Sequence, residues 1–152
     1  MPSLSLSNQT TAISPWYGTT TWYSEDWDSG IGTWAGNNCS VSHDSGNGYL
    51  QTVSTSAGGD AYKYVVLAAH TTYSYSVKLA ATAIGGGHFN VGTGVTGLLT
   101  YDILNLDTPT VATYTGTFTT ADLPLSLVRL GLQVDGNSRT LKWDEISITE
   151  TR

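Results

Sequence analysis

The chain has 152 residues, a formal net charge of −6, only 12% charged residues, 17 glycines and a single cysteine. That length suits one domain, able to bury roughly two-thirds of the surface its unfolded chain exposes, and one cysteine excludes an intramolecular disulfide. The six basic residues are scattered instead of forming a stripe, which argues against a nucleic-acid partner, and no apolar run is long enough for a membrane-spanning helix.

Residues 1–26 are rich in Ser and Thr, with Leu4, Leu6 and Ile13 spaced as in an extended arm, followed by rings at Trp16, Tyr17, Trp22 and Tyr23. This segment is expected to be an appendage that docks on a neighbouring subunit, with the folded domain covering residues 27–152. Met1 to Ser7 lacks a basic start and a continuous apolar stretch, so a standard secretion signal is not expected. Strands are then expected near Cys39 to His43, Tyr49 to Ser54, Ala61 to Leu67, Tyr73 to Ala81, His88 to Val91 and Leu98 to Leu104. Three more follow: Thr113 to Thr119, Leu125 to Val134 and Arg139 to Ile148. Turn signals such as Ala57-Gly58-Gly59-Asp60 and Asp135-Gly136-Asn137-Ser138 separate them.

Period-2 alternation supports this reading. Tyr73, Tyr75, Val77 and Leu79 share one face, with Ser74, Ser76 and Lys78 on the other. The apolar phase slips between Leu127 and Val128 and again between Trp143 and Ile146; one extra residue explains a slip, so a β-bulge is expected at or near Asp144-Glu145. Short strands without intervening helices indicate an all-β protein, a two-sheet antiparallel β-sandwich of the jelly-roll type. Cys39 reads as an inert thiol on one of these strands.

Few motifs carry chemistry. Gly92-Thr93-Gly94-Val95-Thr96-Gly97 matches a dinucleotide fingerprint in spelling, but a strand instead of a helix is expected to follow it. His43-Asp44-Ser45 reads as part of a turn, with no nucleophile elbow anywhere in the chain. Two acidic clusters, Glu25-Asp26-Asp28 and Asp144-Glu145, suit solvated carboxylates or structural calcium better than the carboxylate pair of a glycosidase. The aromatic bias is more telling: 5 Trp and 9 Tyr stand against 2 Phe, so most rings carry a polar edge and suit half-exposed positions. Flat rings beside amides and charged groups match the apolar C–H faces and hydroxyls of a sugar. Candidates are Trp34, Tyr62, Tyr64, Tyr101 and Tyr114, with Gln51, Asn90 and Gln133 as polar partners. Alternation leaves Tyr62 and Tyr64 equally compatible with a core face and a groove face.

The order of landmarks resembles the jelly-roll carbohydrate-binding modules of the family 4, 9 and 22 type over residues 27–149. The landmarks are Trp27-Asp28-Ser29-Gly30, Trp34, Gly46-Asn47-Gly48-Tyr49-Leu50-Gln51-Thr52-Val53, Tyr73-Ser74-Tyr75-Ser76-Val77-Lys78, Tyr114-Thr115-Gly116-Thr117-Phe118-Thr119 and Leu141-Lys142-Trp143-Asp144-Glu145-Ile146-Ser147-Ile148. The resemblance implies a non-enzymatic glycan-binding sheet and a structural calcium, the one cofactor it suggests, held in part by Asp28 and Asp144. Residues 1–26 have no counterpart in such modules. A module with an added arm and no secretion signal is expected on a bacteriophage virion surface, outside the cell after lysis, as a capsid-decoration or tail protein partnered with itself or other virion proteins. The alternative expectation is a free-standing glycan-binding module or adhesin.

Overall fold

The computed structural model describes residues 21–80, 86–93, 101–107, 109–120 and 126–151. Among them are eleven strands and no helix: β1 (Thr21–Glu25), β2 (Ala35–Asn37), β3 (Cys39–Asp44), β4 (Tyr49–Ser54), β5 (Gly58–Leu67), β6 (Thr72–Leu79), β7 (Gly87–Thr93), β8 (Tyr101–Leu106), β9 (Thr113–Thr119), β10 (Ser126–Asp135) and β11 (Thr140–Glu150). They form two antiparallel sheets. The first runs β3-β4-β11-β6-β9 with β1 also paired to β11, and the second runs β2-β5-β10-β7-β8.

Alternation decides which side chains meet between the sheets. Leu50, Tyr73, Val77, Leu79, Trp143, Ile146 and Ile148 from the first sheet pack against Val65, Leu67, Phe89, Leu130, Leu132 and Val134 from the second. Each fully buried aliphatic or aromatic side chain contributes roughly 1.5–3 kcal/mol of transfer free energy, which compensates a sequence poor in long apolar runs. One buried polar edge is satisfied within the core: Trp143 Nε1 donates to Thr52 Oγ1 at 3.2 Å, and that hydroxyl donates to the Leu141 carbonyl at 3.3 Å.

The expected bulge is present. The β11 ladder to β6 shifts between Trp143 and Glu145, which returns Ile146 and Ile148 to the core. The bulge also lets one strand serve two partners on the same side: Thr140 to Trp143 pair with β4, while Ile146 to Thr149 pair with β1. A second slip, expected at Leu127-Val128, does not occur. The β10–β5 ladder is continuous from Ser126 to Asp135, and Leu127 stands opposite Val66. The change of apolar parity in the sequence therefore involves no irregularity of the backbone ladder.

Two short strands complete the sandwich. β1 lies inside what reads in the sequence as an arm, so the sheet begins at Thr21, before residue 27. Trp22 belongs to it: its Nε1 donates to Glu150 Oε2 at 3.0 Å and its ring meets Tyr73 edge-on. Leu4, Leu6, Ile13, Trp16 and Tyr17 lie outside the described residues. Between β2 and β3 the chain crosses from one sheet to the other at Asn38 alone, with φ of 49°. Gly59 permits the crossing, because a side chain there would run into the Asn38 carbonyl.

Candidate functional site

The outward face of the second sheet differs from an ordinary solvated face. Register places Ala35, Tyr62, Gly131 and Asn90 in one row across four strands. Tyr64, Arg129 and Gly92 form the row on one side, and Asn37, Asp60, Gln133 and His88 the row on the other. Along this face β5 and β10 present Asp60, Tyr62, Tyr64, Arg129, Gln133 and Asp135, because the intervening positions, Ala61 and Val65 or Leu130 and Leu132, are committed to the core.

At its centre is an ion pair. Arg129 Nη2 stands 2.6 Å from Asp60 Oδ2, with the side chains only 5% and 8% exposed. The guanidinium carbon lies 4.4 Å from the centroid of the Tyr62 ring, a cation–π contact that supports a poorly hydrated cation. Tyr62 in turn meets Tyr64 edge-on at 5.8 Å and 75°. Asn37 Nδ2 donates to Asp60 Oδ1 at 3.2 Å. Asp60 Oδ2 is buried, and its partner is the Arg129 cation, held by charge instead of an aligned hydrogen bond.

Beside the pair runs a chain of directed hydrogen bonds. Asp135 accepts from Gln133 Nε2 at 2.7 Å through Oδ1, and its Oδ2 is 2.6 Å from His88 Nε2. Because a carboxylate only accepts, it orients the Gln133 amide with its nitrogen towards Asp135 and its oxygen towards Asn90, whose Nδ2 donates to it at 3.0 Å. Asn90 Oδ1 is left buried without a partner. A buried acceptor costs about 1–3 kcal/mol when unsatisfied, and this one lies beside a glycine. Gly131 contributes no side chain at the middle of the row; a Cβ there would stand 3.1 Å from Asp60 Oδ2, 3.3 Å from Arg129 Nη1 and 3.5 Å from Asn90 Cβ. The face therefore combines two half-buried rings with a guanidinium and a set of fixed amides, and Asp60, Arg129 and Asn90 close tightly over Gly131.

Of the residues expected as a sugar platform, Tyr62, Tyr64, Asn90 and Gln133 come together here. Trp34 does not. It is buried, packs edge-on against Trp27 at 5.8 Å, and donates Nε1 to Tyr23 Oη at 3.1 Å. Its position just ahead of β2 turns it into the space between the sheets, where Tyr23 also donates to Glu25 at 3.1 Å and Lys63 Nζ meets the same carboxylate at 3.2 Å. Burial, with the Glu25 charge second, raises the Tyr23 phenol above its ordinary range. Tyr114 packs against the core from β9 and its hydroxyl donates to the Thr110 carbonyl at 3.1 Å. Gln51 lies on β4 of the other sheet, opposite Lys142 and Ser42. Tyr101 begins β8 opposite Val91. Arg129, Asp60, His88, Asp135 and Asn37 escape the sequence reading.

Asp28 and Asp144, the pair implied for calcium, have other surroundings. Asp144 Oδ2 is 2.5 Å from Lys78 Nζ, and the carboxylate raises the Lys78 pKa through that hydrogen bond. Asp28 Oδ1 lies against Gly48, where a Cβ would approach it to 2.5 Å. Among the described residues no three His, Cys, Asp or Glu side chains converge on one point. Calcium takes six to eight oxygen ligands, backbone carbonyls and waters among them. Cys39 is half-buried, and desolvation raises its thiol pKa, in keeping with an inert side chain.

With this geometry defined, comparison with known proteins identifies the fold. No protein-family model matches the chain, and no curated protein is similar to it in sequence. Solved structures are similar in three dimensions. The CBM22-1 and GH10 modules of Clostridium thermocellum endo-1,4-β-D-xylanase 10B, complexed with xylohexaose, superpose with a TM-score of 0.64 at 13% identity over 87% of this chain, which spans 28% of that one. The CBM22-1 xylan-binding domain of Paenibacillus barcinonensis Xyn10C gives 0.63 at 17% identity, covering 87% of this chain and 95% of that chain. A family 16 carbohydrate-binding module gives 0.58 at 20% identity, covering 80% and 93%. The chain has the β-sandwich fold of carbohydrate-binding modules.

Proposed function

We propose that this protein is a non-enzymatic glycan-binding module whose ligand lies across the outward face of β5, β10 and β7. The observation that carries this reading is the placement of the half-buried Tyr62 and Tyr64 rings beside Arg129, Asn90 and Gln133 on one sheet face. A sugar ring offers an apolar face to the half-buried Tyr62 or Tyr64 ring and hydroxyls to the half-buried Gln133 amide on the same face. Likeness to a xylan-binding domain supports the choice of ligand class. Affinity electrophoresis in gels containing soluble xylan, mixed-linkage β-glucan or hydroxyethyl cellulose tests it. The wild type is retarded by at least one polymer, and Tyr62→Ala abolishes the retardation while remaining folded by circular dichroism. Retardation by none of these polymers, or unchanged retardation of the variant, overturns the reading.

The virion-surface role expected from the sequence is a second, compatible proposal about where the module works. It concerns the residues before Thr21, and the mass in solution of the full chain against a chain starting at residue 20 tests it. Loss of an oligomer on truncation supports attachment through that segment; a monomer in both cases favours the free-standing module.

A further inference from the structure

We infer that Asp60 makes the site selective for uncharged glycans by keeping the Arg129 charge from any acidic sugar. This rests on the glycan-binding reading and adds a specificity-determining residue to it. Arg129 is the group on this face that would attract a uronate or sulfated sugar, since guanidinium and carboxylate or sulfate form paired, charge-assisted hydrogen bonds. Its charge is already answered. Asp60 Oδ2 is 2.6 Å away, both side chains are nearly excluded from water, and the Tyr62 ring covers the guanidinium. An incoming carboxylate directed at Arg129 would have to share it with a carboxylate that cannot withdraw, because Asn37 holds the other Asp60 oxygen at 3.2 Å.

The rest of the face adds to the exclusion. Asp135 puts a second carboxylate on it, two positions beyond Gln133, and His88 stands against that carboxylate at 2.6 Å. Counting Arg129 against Asp60 and Asp135, these described side chains carry one net negative charge with His88 neutral and none with it protonated. The chain as a whole carries −6. An acidic polymer is therefore repelled at long range and unrewarded at contact, whereas a neutral sugar pays neither penalty and still finds the Gln133 amide and the rings. The closed ion pair is thus a filter, and removal of its acidic half turns the same pocket into an anion site.

Hydroxyethyl cellulose and carboxymethyl cellulose, which share a backbone and differ in charge, together with xylan and polygalacturonate, provide the test by affinity electrophoresis at low and at 0.5 M salt. The expected result is that wild type is retarded by a neutral polymer and not by its acidic counterpart. Asp60→Asn, nearly isosteric, gains at least tenfold in affinity for an acidic polymer, and that gain shrinks in 0.5 M salt as screening requires. Wild-type retardation by neutral and acidic polymers alike overturns the inference and leaves glycan binding standing. No retardation of either protein by any polymer removes both. Should Asp60→Asn fail to fold, Asp60→Asn combined with Arg129→Gln takes its place: with both charges gone, acidic polymers remain unbound, and their binding would show that the ion pair is not the filter.

Discussion

The two outward faces of this sandwich are built by the same alternation and differ in kind. On the first sheet, Ser74, Ser76, Thr115, Thr117, Ser147 and Thr149 surround a shallow groove of about 420 Å3. Hydroxyls there bond to one another, Thr72 to Thr119 at 2.9 Å and Ser74 to Thr151 at 2.8 Å. On the second sheet, the polar groups are planar and fixed, Gln133 by Asp135, Arg129 by Asp60 and Asn90 by Gln133. A hydroxyl rotates to suit its surroundings and satisfies itself with a neighbour or water. An amide bonded at both edges, as Gln133 is between Asp135 and Asn90, cannot, so it keeps one orientation. Preorganisation of that kind, more than polarity, separates a recognition surface from a wet one.

Breaking the ion pair is the strongest test of this contrast. Arg129→Met leaves Asp60 buried without its cation, and stranding one member of a buried pair costs about 3–5 kcal/mol. Urea denaturation is expected to show that loss, and Arg129→Met with Asp60→Leu is expected to recover most of it while remaining unable to bind sugar. A single variant as stable as wild type would mean that water reaches Asp60 freely and that the site is looser than its burial indicates. Tyr62→Ala comes next. Truncating an aromatic anchor costs about 2 kcal/mol or more in binding, roughly thirtyfold in Kd, whereas Ser76→Ala on the opposite face leaves titration calorimetry unchanged.

Gly116→Ala sharpens the comparison from the other side. A Cβ there would approach Tyr75 Oη to 2.6 Å, in the core beneath the hydroxyl-lined groove. Overpacking of this sort is expected to cost about 1 kcal/mol or somewhat more, visible as a lower Tm, with glycan affinity intact. If affinity falls with it, the two sheets are mechanically coupled and the outward faces are not independent.

How far each face was legible follows from the same physics. The long strands and the bulge at Asp144 were open to reading because apolar parity is a property of sequence alone, and β11 shows its slip between Trp143 and Ile146. β1 and β2 were not. Trp22 and Tyr23 look like surface rings until Glu150 and the Trp34 indole supply partners for them, and three residues of β2 carry too little pattern to detect. Trp34 was misplaced because aromatic content says nothing about which side of a loop faces the core. The missed residues did leave a trace: Arg129, Gly131, Gln133 and Asp135 occupy alternate positions between core residues, as do Asp60, Tyr62 and Tyr64. A charged residue set between Val128 and Leu130 signals a face that is not the core. Which acidic residue answers it depends on the pairing of β10 with β5, and that is decided only when the sheet forms.

The smallest expected effect separates charge that stabilises from charge that recognises. Asp44, at the end of β3, takes Lys142 Nζ at 2.7 Å and Asn47 Nδ2 at 3.2 Å, and these hydrogen bonds, Lys142 first, hold its pKa below the ordinary 3.8. A carboxyl group with a depressed folded-state pKa stabilises the fold above its unfolded pKa, and that contribution disappears as the pH falls through the folded value. Wild type is therefore expected to melt slightly above Asp44→Asn near neutral pH, with the gap closing below about pH 4. The group is on the surface, so the gap is small and shrinks further in salt. Glycan affinity of the two proteins is expected to match across the same range, because Asp44 belongs to the first sheet and the recognition face to the second. A gap in Tm that stays constant with pH would trace the effect to the lost side-chain geometry instead of the charge. A difference in affinity would place Asp44, and with it the β3 edge, within reach of the ligand.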